Sequence, residues 1–171
     1  MNPTLMHKNY FDRAEKSKKE GCFLEAIFLE YAAIEGRLEV LCGLFSCPCN
    51  KELPDSIRKD IKISQRVNCL KKVYNNHPAC LEYKTKLSQK CWSDLLCWLR
   101  KRNMYVHGLY KRPEEYINRN KEARSMSEEG YDYADLLYKE VKRVRRLRAN
   151  HPEKLKYEGS VCDGKCGFLK N

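Results

Sequence analysis

Phe23, Leu24, Ile27, Phe28, Tyr31, Ile34, Leu38, Leu41 and Phe45 recur at steps of three and four residues. On a rod with 3.6 residues per turn this spacing draws one apolar stripe, whereas on a strand it would scatter across both faces. The same period returns in Ile57, Ile61, Leu70 and Val73. It returns again in Cys91, Trp92, Leu95, Trp98, Leu99 and Arg102, and in Tyr133, Leu137, Val141 and Val144. A chain patterned this way folds by packing helices against helices. Helices are predicted over residues 8–20, 23–45, 55–75, 88–106, 113–124 and 127–149, as an all-α bundle of four to six helices. Gly21 marks a corner, "SCPCNKELPDS" and "NNHPA" are breaks, and Gly108 sits where the central helix is expected to end. Residues 1–150 form the helical domain and 151–171 a turn-rich, cysteine-containing tail.

With 42% hydrophobic and 33% charged residues, the chain suits a globular protein with a modest core and not a disordered one. The apolar region near residues 23–45 is interrupted by Glu25, Glu30, Glu35, Arg37 and Glu39, so no membrane-crossing segment is expected. The first residues, "MNPTLMHKNYFDRAEKSKK", lack the apolar core of a signal peptide, which points to a cytoplasmic protein. The net charge of +11 is not required by any fold. It reads either as affinity for nucleic acid, an acidic protein or an anionic membrane, or as a lysine-rich solubilising surface.

The ten cysteines divide into two sets. Cys22, Cys42, Cys69, Cys80, Cys91 and Cys97 lie in or beside helical stretches and read as reduced, small apolar side chains. Cys47 and Cys49 in "CPC" and Cys162 and Cys166 in "CDGKC" lie in turns. Four thiolates there would suit a structural zinc ion pinning the tail to the loop, and free thiols are the alternative.

Candidate chemistry concentrates in "RKRNMYVHGLY", residues 100–110. His7 lies near the N-terminus, and His77 and His151 both stand in "NHP" turns. Only His107 belongs to a strongly amphipathic helix. Arg102 precedes it by five residues, which is a rotation of about 140° and a rise of about 7.5 Å along an α-helix. The two side chains therefore serve one pocket only beyond the helix end or with a second subunit. An arginine on an inward stripe keeps its charge and calls for an anion or carboxylate partner, for which Glu35 is a candidate.

"RNMYVH" resembles the Arg-x4-His motif of the HEPN superfamily (higher eukaryotes and prokaryotes nucleotide-binding), with Asn103 at the residue after the arginine and Gly108 after the histidine. The stretch "EGCFLEAIFLEYAAIEGRLEVL" is similar to the early helices of such proteins, and the likeness covers about residues 5–149. The resemblance implies a four- or five-helix bundle that pairs as a two-fold homodimer. It also implies a metal-independent endoribonuclease of toxin–antitoxin or antiviral defence systems, with an antitoxin or nucleotidyltransferase as possible partner. Arg102 and His107 would be the catalytic pair, supported by Asn103. No catalytic cofactor is implied. Leu109 stands where some relatives carry a modifiable tyrosine, and Tyr110 follows one residue later. The alternative is a non-catalytic HEPN-like module that binds nucleotide, RNA or a partner protein. Arg100 and Lys101 beside the motif, and Lys142, Arg143, Arg145 and Arg146 in "KEVKRVRRLR", are the cations expected to touch RNA. A solvated face and a favourable helix dipole are the rival explanation of that last run.

Overall fold

The structure, a computed structural model, describes residues 3–45, 62–76, 87–111 and 119–151. They form five helices and, among the described residues, no strand: α1 (Pro3–Lys19), α2 (Phe23–Leu44), α3 (Ile63–Asn76), α4 (Gln89–Lys111) and α5 (Asn120–Asn150). The all-α pattern of the sequence is thus the architecture. No described helix is long and apolar enough to cross a membrane.

Local chemistry explains the helix ends. The Cys22 amide donates to the Ser17 carbonyl (2.7 Å) and the Gly21 amide to that of Lys18 (3.1 Å). These paired bonds close α1 and need a left-handed residue at the turn, which Gly21 supplies at φ 76°. The Lys62 amide donates to Gln65 Oε1 (2.9 Å) before α3, and the Cys91 amide donates to Ser88 Oγ (3.2 Å) before α4.

Three boundaries differ from the sequence expectation. Of the helix expected over 55–75, residues 55–61 lie outside the described residues, and α3 starts at Ile63, behind the Lys62 cap. The central helix runs through Gly108 to Lys111. Gly108 does not end it: its backbone is not in the left-handed conformation of a helix-closing glycine, and a Cβ there would lie 3.0 Å from Arg119 Nη1. The two helices expected over 113–124 and 127–149 are, from Asn120, a single helix of 31 residues. Ser127 and Gly130 lie within it, and each meets a neighbouring helix.

The helices build two compact units. The first combines α1, α2 up to Gly36, α4 from Leu95 and α5 up to Leu136. Ile27, Ile34, Trp98 and Tyr105 are sealed in its core, and the Trp98 indole N–H donates to the Met126 carbonyl (2.9 Å). Gly130 lies under the Trp98 ring. A Cβ there would stand 2.6 Å from Trp98 Cζ2 and 2.7 Å from Glu30 Oε2. Gly130→Ala is therefore expected to lower stability by about 1–3 kcal/mol through overpacking, despite alanine's better helix propensity. A thermal melt checks this, and an unchanged midpoint would mean that the pocket yields.

The second unit combines α2 from Arg37, α3, α4 up to Asp94 and α5 from Leu137. Tyr74 centres its core, edge-on to Phe45 (5.4 Å between ring centroids) and to Trp92 (5.2 Å). The Tyr74 hydroxyl donates to Glu140 Oε1 (2.6 Å), and Arg143 grips the same buried carboxylate with Nη2 to Oε1 (2.6 Å) and Nε to Oε2 (2.8 Å). Donors on both oxygens satisfy the buried charge.

Candidate functional site

Arg102 is half-buried in the first unit, and its guanidinium lies over two rings of α2. The centroid of Tyr31 is 4.2 Å away and that of Phe28 is 4.9 Å. Phe28 and Tyr31 are three residues apart, hence neighbours on one helix face. Together they make an electron-rich bed for a flat cation. Arg102 Nη1 donates to Asn103 Oδ1 (3.2 Å), while Nε is buried with no hydrogen-bond acceptor among the described residues. Burial pushes the Arg102 guanidinium down from its ordinary value, and Tyr31 and Glu35 push it back up. No carboxylate of the described residues lies within ion-pair distance of it, Glu35 included. The cation thus stays charged and lacks a counter-ion among the described residues.

His107 and Asn103 are both exposed. His107 makes no hydrogen bond or ion pair among the described residues. Arg102 and Asn103 are brought together, and His107 joins neither: it sits further along α4 and about 140° around it from Arg102. Met104, three residues before His107 and so its neighbour on the helix surface, is 68% exposed, and Phe28 beside Arg102 is 42% exposed. These are the two large apolar side chains that the described residues leave in solvent. In the sequence Phe28 counts as one of the stripe residues bound for the core. Its place at the stripe's edge, three residues before Tyr31, was the available sign of another role.

The other expected RNA contacts separate by geometry. Arg100 is exposed. Lys101 is 4.0 Å from Glu129 and lines a cleft of about 500 Å³ together with Met104, Tyr105, Arg119 and Glu122. That cleft includes neither Arg102 nor His107, and Arg119 within it is paired to Glu122 (3.0 Å). Lys142, Arg145 and Arg146 are exposed on α5. Arg143 is not a surface cation like them. Its side chain is part-buried and makes two bonds to buried Glu140, so its charge already has a partner.

Cys47, Cys49, Cys162 and Cys166, the expected zinc ligands, lie outside the described residues. Cys22, Cys42, Cys69, Cys91 and Cys97 form no disulfide among the described residues. Burial, and then the Asp94 charge, push the Cys91 thiol above its ordinary value and keep it protonated. Among the described residues no group of three or more metal-type ligands occurs.

The strongest electrostatic perturbation is at Glu30, which the sequence presents only as an interruption of an apolar stretch. This residue is 2% exposed in the core of the first unit. Ser127 Oγ donates to Oε1 (2.9 Å), Lys18 Nζ is 3.7 Å from the same oxygen, and Oε2 is buried without a hydrogen-bond partner among the described residues. Desolvation pushes the carboxyl up from 4.5 to about 8, against the opposing pull of Ser127 and Lys18, with Asp132 adding to the rise. At neutral pH Glu30 is therefore chiefly the neutral acid, and the nearby Lys18 ammonium faces a hydrogen-bond acceptor more than a counter-ion. Lys18 also stands 3.9 Å from the centroid of the Tyr131 ring. In comparisons with protein-family models, curated proteins and solved structures, nothing matches this chain.

Proposed function

We propose that the chain is a metal-independent endoribonuclease of HEPN type, acting as a homodimer in RNA cleavage of the toxin–antitoxin or antiviral kind. The observation that carries this reading is Arg102: a cation held in place by two rings and Asn103, without a carboxylate among the described residues, on the same helix as an exposed imidazole. Such a guanidinium fits two oxygens of a phosphate. RNA supplies its own nucleophile. A histidine takes the proton of the 2′-hydroxyl as its oxygen bonds to phosphorus. The bond from phosphorus to the 5′-oxygen breaks, and a second histidine returns a proton to that oxygen. One helix carries one such histidine, so the His107 of a second copy provides the other. That copy also closes the wide angle between Arg102 and His107. Exposed Phe28 beside Arg102 and exposed Met104 beside His107 suit burial against it.

The angular separation of the two motif residues within one chain favours a second reading, a non-catalytic module in which Arg102 binds the phosphate of a nucleotide or RNA. The deciding experiment incubates purified protein with RNA and with the same oligonucleotide carrying 2′-O-methyl groups, both in EDTA. Nuclease function requires cuts in the first and none in the second. Binding of both without cuts establishes the module.

A further inference from the structure

We propose that the last turns of α5 in the second unit form a track for the phosphodiester backbone of single-stranded nucleic acid, built from Lys142, Arg145 and Arg146 and floored by Tyr138 and Arg37. Taking Tyr138 as origin, Lys142 lies about 40° around the helix, Arg145 about 20° to the other side, and Arg146 about 80° around. The three cations thus share one arc of about 100°. All three are exposed, and none makes an ion pair among the described residues. Val141 and Val144 turn to the core, and Arg143 is bound to Glu140, so the run of basic residues is sorted by the fold into one outward set.

Two features make this more than a solvated face. The Lys142 ammonium stands 4.4 Å from the centroid of the Tyr138 ring, and the Arg37 guanidinium stands 5.3 Å from the same centroid. Arg37 is only 4% exposed, and Arg145 lies close enough that its charge, after burial, pushes the Arg37 guanidinium further down. Lys142 and Arg37 thus flank one ring with Arg145 close by, and the exposed Lys142 and Arg145 suit a polyanion. A membrane surface is the poorer fit. A helix that lies on lipid needs large apolar side chains flanking its basic arc. Among the described residues the exposed ones are Phe28 and Met104, both outside this unit.

The test uses the full-length protein and a 2′-O-methyl oligouridylate, which is not cut, so it stands whether or not the nuclease reading does. Affinity is measured against salt for the wild type and for Lys142→Gln/Arg145→Gln/Arg146→Gln. A second triple variant, Lys19→Gln/Lys90→Gln/Lys121→Gln, removes the same charge from other exposed positions. Each single-strand phosphate contact contributes about 0.7 to the slope of log K against log salt, so the track variant should lose about 2 in slope and roughly 100-fold in affinity near 0.1 M salt. The other variant should keep most of both. Equal losses in the two variants overturn the proposal, since net charge alone would then explain binding. It is also overturned if the track variant keeps the wild-type slope, or if phosphatidylserine vesicles bind and the oligonucleotide does not. Matching thermal melts of the two variants confirm that folding is not what changed.

Discussion

On the nuclease reading, His107→Ala is expected to abolish RNA cleavage while leaving the thermal unfolding of the protein where it was. The imidazole is exposed and holds no partner among the described residues, so its removal touches no packing and costs no more than about 0.5 kcal/mol. Its loss as base or acid is expected to cost about 10²–10⁴-fold in rate, the usual contribution of one positioned proton-transfer group. Arg102→Ala is expected to give a comparable loss, about 10²–10³-fold, by removing the charge proposed to meet the phosphate. It also destabilises the protein modestly, because Phe28 and Tyr31 lose the cation above them. Arg102→Lys recovers little activity, for an ammonium has neither the flat face for the rings nor the fork for two oxygens. Cleavage by His107→Ala at the wild-type rate in EDTA would remove the nuclease reading altogether.

Glu30's contribution to stability is expected to fall as pH rises from about 4.5 to 8, and Glu30→Gln is expected to remove that fall. The folded protein holds a proton on Glu30 up to about pH 8, whereas the unfolded chain releases it near 4.5. In that window the folded state binds more protons, so each step upward in pH favours unfolding. Over the full window the effect is on the order of 3–5 kcal/mol, or roughly 5–15 °C in melting temperature for a chain this size. Below about pH 4.5 the Glu30 carboxyl is protonated in the folded and the unfolded chain alike, and Glu30→Gln should match the wild type. Above about pH 8 the glutamine, which never ionises, should be the more stable. Ser127 and Lys18 retain an oxygen to bond in either case. Parallel stability curves for the two proteins from about pH 5 to 9 would show that Glu30 ionises freely in the fold.

Much of the helical architecture was legible because it depends on a repeat that survives without neighbours. The stripe from Phe23 to Phe45 marks α2 (Phe23–Leu44) almost residue for residue, since an amphipathic period and a flanking turn are local properties. Gly21 was legible for the same reason: a left-handed turn excludes nearly every other residue. Gly108 was misleading because glycine has two uses. It often closes a helix, and inside one it also leaves room for a neighbour, here Arg119 Nη1.

The candidate site divides along the same line. From the amino-acid order alone come an all-helical chain, a surplus of positive charge, and Arg102, Asn103 and His107 placed on one helix. Only the packing of helix on helix decided that Phe28 and Tyr31 lie beneath Arg102 and that Arg143 faces inward to Glu140. Packing alone also sealed Glu30 away from water. The reason is the range of the forces. Helical period and turn geometry act over a few neighbours, whereas ring stacking, ion pairing and desolvation depend on which distant segments fold back to touch.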